Sequence, residues 1–264
     1  MTICTKEQTL LEAKNVNLAY DGKQILRDVS FCIRDIVRPG MLQGQVVSLI
    51  GRSGIGKTQL FKLLAGLQQP TSGEILIHQN KPVKAGDMGI IFQNYYLFEW
   101  RTVFTSLMLA AKKNPAIAGR EKEMIAQYAE NFHLQDHLQK YPQQLSGGQR
   151  QRVSIIQQLL KGSDFLLLDE PFSGLDVLML DKVTDLLLQV SLSDELKTLI
   201  IVSHDIETSV AISDTVFILG EQKGLPGSTI VKEIDLVERE LAWEKNIRDK
   251  KEFMQTVSEI KSYL

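Results

Sequence analysis

The stretch from Val46 to Leu67 constrains the fold more than any other part of the sequence. An apolar run, Val46–Ile50, leads into Gly-Arg-Ser-Gly-Ile-Gly-Lys-Thr at residues 51–58, and an amphipathic segment begins at Gln59. This is the G-x-x-x-x-G-K-[ST] phosphate loop in the context that it requires, between a strand and a helix. The glycines let backbone amides approach phosphate oxygens, and the helix N-terminus adds partial positive charge. The sequence therefore predicts a nucleoside triphosphate site.

Two side chains of the loop have expected roles. Lys57 is expected to reach the β- and γ-phosphates, and the Thr58 hydroxyl is expected to bind Mg²⁺. The alternative is a glycine-rich turn without a ligand. The flanking strand and helix favour the phosphate loop, although the loop alone does not say what happens to the nucleotide.

Composition narrows the class of protein. The chain has 264 residues, of which 44% are hydrophobic and 23% charged, as is typical of soluble globular proteins. Its formal net charge of −2 gives no sign of a nucleic-acid partner. Cys4 and Cys32 lack metal-type spacing and are interpreted as reduced thiols. No signal core is seen at the N-terminus, and no apolar stretch approaches the ~20 residues needed to cross a bilayer, so we expect no membrane path in this chain.

The hydrophobic pattern predicts a mixed α/β fold. Short alternating runs on either side of Asp21-Gly22 predict a hairpin, and with a strand from Ser72 they predict a small antiparallel sheet. Residues Arg34–Gln45, which contain Pro39, Gly40 and Gly44, are expected to form a loop. A helical region up to about Leu138 is expected to break between Asn114 and Arg120. Further helices are expected after Leu145 and over Val177–Val190.

Four apolar runs end in polar or glycine residues. They terminate at Gly51, at Gln93, at Asp169-Glu170 and at Ser203-His204. Parallel strands of an α/β sheet place their carboxyl ends on one edge, where ligands bind. We therefore expect these residues to converge on one nucleotide.

The acidic pair Asp169-Glu170 indicates that the bound nucleotide is hydrolysed. Asp169 follows an all-apolar strand, where a carboxylate can help to hold the Mg²⁺ that bridges the phosphates. Glu170 is the candidate to polarise a water beside the γ-phosphate, and His204 is the candidate to contact that phosphate or to hold Glu170 and the water. The alternative for the pair is an ordinary loop start after a strand. His133 and His137 lie four apart on an expected helix, and without a third ligand they are interpreted as surface residues.

The segment Leu145–Gln149 predicts a second helix N-terminus that is suited to phosphate binding. Ser146 and two glycines precede an amphipathic run, and one nucleotide needs only one such cradle. The simple interpretation is a helix cap with Ser146 as its N-cap. The more specific hypothesis is that this segment binds the γ-phosphate of a nucleotide that is bound to another copy of the protein.

Taken together, these motifs resemble those of ATP-binding-cassette (ABC) ATPases in order and spacing. The similarity covers residues 11 to 220, and its motifs are the phosphate loop, Gln93, Leu145–Gln149, Phe165–Glu170, Ser173–Asp176 and His204. The resemblance implies an α/β fold: a P-loop NTPase core with a mostly parallel sheet, a small antiparallel β subdomain and a helical subdomain at about 94–159. It implies a nucleotide-binding domain over 11–225 and a short tail over 226–264.

The resemblance also implies the site residues. Glu170, His204 and Gln93 would be catalytic, and Thr58, Gln93 and Asp169 would bind the metal. Tyr20 would stack on adenine, Gln93 would sense Mg²⁺ and γ-phosphate, and Asp176 would belong to a loop that crosses a dimer interface. The residues expected to bind the nucleotide are Tyr20, Gly51, Arg52, Ser53, Gly54, Ile55, Gly56, Lys57, Thr58, Ser146, Gly147, Gly148, Gln149 and Asp176.

Partners and location follow from the same resemblance. The cofactors would be ATP and Mg²⁺, and two ATP molecules would lie between the phosphate loop of one subunit and Leu145–Gln149 of the other. A second copy or a homologous subunit would complete the dimer, with membrane permease subunits and a solute-binding protein as further partners and no nucleic acid. The protein would lie in the cytoplasm, on the inner face of the membrane. The aromatic run Tyr95–Trp100 would line the permease contact or pack within the helical subdomain.

Some positions depart from the family pattern. Asp35–Gln43 resembles an insertion, Gln59 stands where a small hydroxyl residue is usual, and Gln157-Gln158 replaces a common Ala-Arg. None of these changes affects the expected hydrolytic residues.

Two segments resemble those of the nitrate/sulfonate/taurine importers: Phe98–Val103 and the tail with Leu241–Trp243. In the tail, Ile230–Leu236 is expected to form a strand and Glu238–Leu264 a charged helical end.

Three rival functions remain open at this stage. One is the ATPase of a lipid or other exporter. Another is a non-transport cassette protein acting on DNA or ribosomes, which the separation of only 112 positions between Lys57 and Asp169 and the presence of one cassette disfavour. The third is a nucleotide-gated scaffold without turnover, which the presence of Glu170 and His204 disfavours.

Overall fold

A computed structural model describes most of the chain. The residues described are 5–38, 44–78, 80–173, 183–185, 187, 198–244 and 246–264. The expected helix over Val177–Val190 lies largely outside them, although residues 183–185 and 187 are helical. Asp176 also lies outside the described residues.

One sheet of ten strands forms the centre of the molecule. The strands are β1 Thr5–Tyr20, β2 Lys23–Val37, β3 Gln45–Ile50, β4 Ser72–Ile77, β5 Lys81–Pro82, β6 Gly89–Ile91, β7 Phe165–Asp169, β8 Thr198–Ser203, β9 Thr215–Glu221 and β10 Ser228–Asp235. Their order across the sheet is β5-β4-β1-β2-β10-β9-β3-β8-β7-β6. The sequence prediction of a mixed α/β fold with parallel and antiparallel strands is confirmed.

The parallel part holds the strands with the strongest apolar runs. β3 pairs in parallel with β8 and β9, β8 with β7, and β7 with β6. All six residues of β3 and of β8 are buried, as expected for strands covered on both faces. Because these strands are parallel, their carboxyl ends lie along one edge of the sheet.

The antiparallel part is built on the long hairpin of β1 and β2. Tyr20 pairs with Lys23 across the turn at Asp21-Gly22, as the sequence predicted, and β4 pairs with the other side of β1. These strands belong to the same sheet as the parallel core, because β2 meets β10 in parallel at Leu26 and Ser228.

The expected loop over Arg34–Gln45 was partly wrong. β2 continues to Val37, and β3 already begins at Gln45. The cause is long-range pairing, since the start of β1 supplies partners for the end of β2, with Thr5 opposite Val37 and Thr9 opposite Arg34. Residues 39–43 lie outside the described part of the chain.

Helices cover both faces of the sheet. They are α1 Lys57–Leu64, α2 Val103–Ala111, α3 Glu121–Asn131, α4 Gly147–Lys161, α5 Ile206–Ile212 and α6 Lys251–Tyr263, with short 3-10 helices at Pro115–Ile117, Gln135–His137, Pro142–Gln144 and Ile247–Asp249. The predicted break between α2 and α3 is present, and the Asn114 side chain caps its 3-10 turn by accepting from the amide of Ala116.

The end of the chain differs from the expected helical tail. The predicted strand is present as β10, but the helix begins at Lys251 and not at Glu238. Glu240, Trp243 and Asn246 have positive φ angles, which a continuous α-helix does not allow. This segment instead folds back on the core, where Leu241 is fully buried and its amide donates to the carbonyl of Leu236 at 2.9 Å.

Apolar burial is divided among three clusters. One lies where α1 packs against the antiparallel strands and one face of the parallel strands, a second between the other face of the parallel strands and α2–α4, and a third beneath α5 and α6. No helix in the described ranges is long and apolar enough to cross a membrane.

Candidate nucleotide site

The phosphate loop lies between β3 and α1, as the sequence predicted. Gly56 caps the helix with φ 105°, a conformation that disfavours a side chain, and its carbonyl accepts from the amides of Gln59 and Leu60. The loop therefore begins a helix whose free N-terminal amides face the loop, as phosphate binding requires.

The ammonium group of Lys57 is held inside this loop. Its Nζ donates to the carbonyl oxygens of Gly51 at 2.9 Å and Arg52 at 3.2 Å, and it lies 3.5 Å from Oε1 of Glu170. The side chain is only 8% exposed. A buried cation at the centre of a ring of backbone groups is suited to a phosphate ligand.

Asp169 and Glu170 occupy the carboxyl end of β7. Burial raises the pKa of Asp169, the charge of Glu170 raises it further, and the charges of Lys57 and Lys62 oppose both effects. Glu170 has φ 48°, an uncommon conformation for a residue other than glycine. The backbone thus turns sharply after Asp169.

The Glu170 carboxylate is fixed by the end of β8. Its Oε2 accepts from the amide of His204 at 3.2 Å and from the Ser203 hydroxyl at 3.3 Å, and it lies 2.8 Å from His204 Nδ1. With the proton assigned to Nδ1, the imidazole also donates to Oε2. The structure thus joins Glu170 and His204, the two residues that the sequence analysis paired.

Gln93 follows β6 on the same edge of the sheet. Its Nε2 donates to the hydroxyl of Ser173 at 3.1 Å, and the amide of Ser173 donates to the carbonyl of Glu170 at 3.1 Å. Gln93 is therefore connected to the turn that carries Glu170. All four predicted strand ends are brought to one edge of the sheet.

A cleft of about 400 Å³ opens above this edge. It is lined by Tyr20, Ile25, Ser53, Gly54, Gly56, Lys57, Thr58, Gln59 and Glu170. This volume falls within the usual range of small-molecule sites, and the lining combines an aromatic ring with residues of the phosphate loop. These features fit a nucleoside triphosphate.

The oxygen atoms at this edge of the sheet also fit Mg²⁺ as ligands. This ion is commonly held by one or two carboxylates together with phosphate oxygens and water. Thr58 offers a hydroxyl and Asp169 a carboxylate at the same edge of the sheet. In the described part of the chain, no group of three or more His, Cys, Asp or Glu forms a separate metal cluster.

The segment Ser146–Gln149 forms the N-terminus of α4. Ser146 Oγ accepts from the amide of Gln149, and Gln149 Oε1 accepts from the amide of Ser146, so the predicted N-cap is present as a reciprocal capping box. Ser146 and Gly147 are exposed. Between described residues, no hydrogen bond or ion pair joins this segment to the phosphate loop.

The interpretation of His133 and His137 as surface residues of one helix was wrong for His137. Helix α3 ends at Asn131, and His137 lies half-buried in the next 3-10 turn. Its Nε2 lies 2.8 Å from Nε2 of Gln149, whose amide therefore donates to the imidazole. No sequence pattern indicates this contact, because the two residues lie on separate elements.

Comparison with known proteins gives a consistent picture. The ABC transporter family matches residues 35–173. The uncharacterized ABC transporter ATP-binding protein YtlC of Bacillus subtilis is 35% identical over 76% of this chain and 75% of its own length. The aliphatic sulfonates import ATP-binding protein SsuB 1 of Xanthomonas axonopodis is 36% identical over 78% of this chain and 79% of its own length. The spermidine/putrescine import ATP-binding protein PotA of Spiroplasma citri is 33% identical over 81% of this chain, and the match spans only 60% of its own length.

A solved structure extends the similarity to almost the whole chain. CbiO1 from Clostridium perfringens, described as part of the ABC transporter complex cbiONQ, has a TM-score of 0.74 with 25% identity. The alignment covers 96% of this chain and 95% of cbiO1.

Proposed function

Because the chain belongs to the ABC transporter family of ATP-binding subunits, we propose that it hydrolyses ATP in a dimer that drives a membrane permease. The ATP-binding subunits of this family are ATPases. The observation that carries the proposal for this chain is the carboxylate of Glu170, held by Ser203 and His204 beside the ammonium group of Lys57.

The geometry supports a role for Glu170 as general base. Its Oε2 is engaged by the donors from β8, which leaves Oε1 on the side of Lys57 and the cleft. A water beside the γ-phosphate would give its proton to this carboxylate as its oxygen bonds to phosphorus and the bond to the ADP oxygen breaks. Lys57 would stabilise the developing negative charge, and Gln93 would report the state of the site through Ser173. Thr58, Asp169 and Gln93 would hold Mg²⁺, which would supply positive charge at the phosphates.

A second molecule would complete the site. Ser146–Gln149 presents an already capped helix N-terminus whose first two residues, Ser146 and Gly147, are exposed, and a side chain added at Gly147 would meet nothing within 4 Å. Such a surface can receive the γ-phosphate side of a nucleotide held by another subunit. The proposed dimer thus contains two composite sites, with Tyr20 of each copy against the adenine ring and Asp176 near the interface.

The permease would contact the aromatic run after Gln93. Tyr96 is 71% exposed and Trp100 is 74% exposed, which is unusual for large apolar side chains on a surface without a partner. Arg150, which follows Gln149 on α4, forms an ion pair with Glu99 in this run. This pair supports a path between the permease contact and the segment that faces the second nucleotide. The protein would then lie on the inner face of the membrane.

We propose import of a small anion or organosulfonate-like solute, delivered by a solute-binding protein. The support is the resemblance of Phe98–Val103 to that importer class and the similarity to a sulfonate importer subunit. The similarity to a polyamine importer subunit supports a cationic solute instead. Co-purification of the permease from native membranes, followed by uptake assays with taurine and with spermidine, distinguishes the two.

The variant Glu170→Gln tests the catalytic assignment. It keeps the size of the side chain and one oxygen that can accept from Ser203 and His204, but it removes the base. We expect hydrolysis to fall by at least about 100-fold, within the range for loss of a general base, while ATP-dependent dimerisation persists. Glu207→Gln, which makes the same change at an exposed carboxylate on α5, is the matched control and should hydrolyse ATP like the wild type. Normal turnover in Glu170→Gln would remove Glu170 as the base.

A further inference from the structure

The hydroxyl of Tyr20 is held between two glutamines from opposite ends of α1. It donates to Oε1 of Gln59 at 3.0 Å and accepts from Nε2 of Gln68 at 2.6 Å. Gln59 lies in the first turn of α1, whereas Gln68 lies just beyond its last residue, Leu64. The tyrosine therefore links the first turn of α1 to the segment that follows this helix.

The backbone beside Tyr20 is also fixed. The amide of Ala19 donates to the hydroxyl of Thr71 at 3.0 Å, and Tyr20 itself pairs with Lys23 across the hairpin. The aromatic ring is thus fixed at its backbone and at its hydroxyl. It is nevertheless 45% exposed and lines the cleft together with Gln59.

We propose that Gln59 and Gln68 are positioning residues that hold the Tyr20 ring ready to stack on a nucleobase. This inference rests on the proposed function, in that the cleft must bind a nucleotide with its base at Tyr20. A ring that is already fixed loses little conformational freedom when the base stacks on it, so the two glutamines strengthen binding through preorganisation. Gln59, which stands where a small hydroxyl residue is usual, then serves the base and not the phosphates.

The expected effect is modest and can be measured. Ordering one flexible side chain on binding costs about 0.5–1.5 kcal/mol, and avoiding that cost corresponds to about two- to tenfold in a dissociation constant. The loss of affinity should affect only ligands that carry a base. Inorganic pyrophosphate, which offers only phosphates, is the matching ligand without one.

The experiment measures Mg-ADP and magnesium pyrophosphate binding to the full chain by calorimetry, because neither ligand is turned over. The variants Tyr20→Phe, Gln59→Leu and Gln68→Ala should each weaken ADP binding by about two- to tenfold and leave pyrophosphate binding unchanged. The double variant Tyr20→Phe/Gln59→Leu should bind ADP no more weakly than Tyr20→Phe, because both changes remove the same hydrogen bond. Gln69→Ala, an exposed neighbour, is the control. Thermal unfolding without ligand checks that each variant is folded.

Two results would overturn the inference. If Gln59→Leu weakens ADP and pyrophosphate equally, Gln59 serves the phosphates. If Tyr20→Phe binds ADP like the wild type while Tyr20→Ala binds it weakly, the ring stacks without help from the glutamines. Failure of the proposed function looks different, since the wild-type chain would then bind no ADP and hydrolyse no ATP.

Discussion

Asp169 and Glu170 are joined by one peptide bond yet occupy different environments. Burial and the neighbouring charge raise the pKa of Asp169, whereas Glu170 is held by donors from Ser203 and His204. The positive φ of Glu170 separates the directions of the two side chains. Because the two side chains point in different directions, they can serve different partners, as the proposed roles of Asp169 at a metal and of Glu170 at a water require.

Sequence reasoning found these residues because a motif follows each buried strand. It could not find the hydrogen bonds of Gln59 and Gln68 with Tyr20. A single glutamine on a helix carries no signal of its own, and its partner is decided by how the β1–β2 hairpin packs against α1. Contacts between distant segments of the chain could therefore not be predicted from the sequence.

Asp214 is a second residue whose chemistry depends on distant segments. Its carboxylate is fully buried, forms an ion pair with Arg38, and accepts from the amide of Val46 and from Trp243 Nε1, both at 2.7 Å. Burial raises the pKa of Asp214 to about 6, although each of these partners lowers it. The folded protein therefore takes up this proton at a higher pH than the unfolded chain. As a result, the contribution of Asp214 to stability is lowest above pH 6 and rises as the pH falls from about 6 towards 4.

We predict that Trp243→Phe raises the pKa of Asp214 further, because it removes a donor to the charged form. The free energy of unfolding should fall by about 1–3 kcal/mol at neutral pH and by less below pH 6. Urea denaturation at pH 7.5 and pH 5, with carboxyl NMR of Asp214, measures both effects. Trp100→Phe, at an exposed tryptophan, is the control. Equal losses at the two pH values would contradict the prediction.

At the scale of elements, local pattern predicted the strands that lead into motifs, the β1–β2 hairpin and the start of α4. The runs in β3, β7 and β8 are long, apolar and followed by motifs, so their type and ends were predictable. The ends of β2 and the start of α6 were not, because they depend on partners far away in sequence. The start of β1 extends β2, and Asp214 holds Trp243 in a conformation that is not helical.

The contact between β1 and β4 gives a prediction for an element. Gly73 in β4 has φ 84°, and a Cβ there would lie 2.3 Å from the carbonyl oxygen of Asn15 and 2.5 Å from that of Lys14. These are backbone atoms of β1 and cannot move aside without separating the strands. Gly22 has a similar φ of 77° but open space around it.

We therefore predict that Gly73→Ala costs more stability than Gly22→Ala. The change at Gly22 should cost about 1–2 kcal/mol through backbone conformation alone, and the change at Gly73 should cost about 1–3 kcal/mol more because of the clash. Denaturant unfolding of both variants provides the measurement. Equal costs would mean that β4 shifts away from β1 without penalty.

At the scale of the whole molecule, the nucleotide site is half of a proposed composite site. The phosphate loop and Glu170 line one cleft, while Ser146 and Gly147 are exposed at the start of α4 in the same chain. No single-chain pattern distinguishes a helix cap from a phosphate-binding surface for a second copy, because both use the same residues. The distinction must come from how activity depends on association.

We predict that ATPase activity per molecule rises with protein concentration. Ser146→Glu should reduce that activity by at least about tenfold, since it places a negative charge where the second nucleotide would lie. The same variant should bind ADP like the wild type when dilute, because its own phosphate loop is unchanged. Steady-state hydrolysis across a dilution series and ADP calorimetry are the measurements. A dilute monomer that hydrolyses ATP at the full rate would contradict the composite site.

The narrow contact between β2 and β10 has a mechanical consequence. In the described strands it consists of one ladder position, Leu26 with Ser228, whereas β3 and β8 share six. Tyr20 lies on one side of this contact and the phosphate loop on the other, and the Tyr20 hydroxyl already joins them through Gln59 and Gln68. A bound nucleotide would add a second connection across the same line. We expect nucleotide release to remove that second connection, so that the line between β2 and β10 is easier to deform in the empty protein than in the nucleotide-bound one.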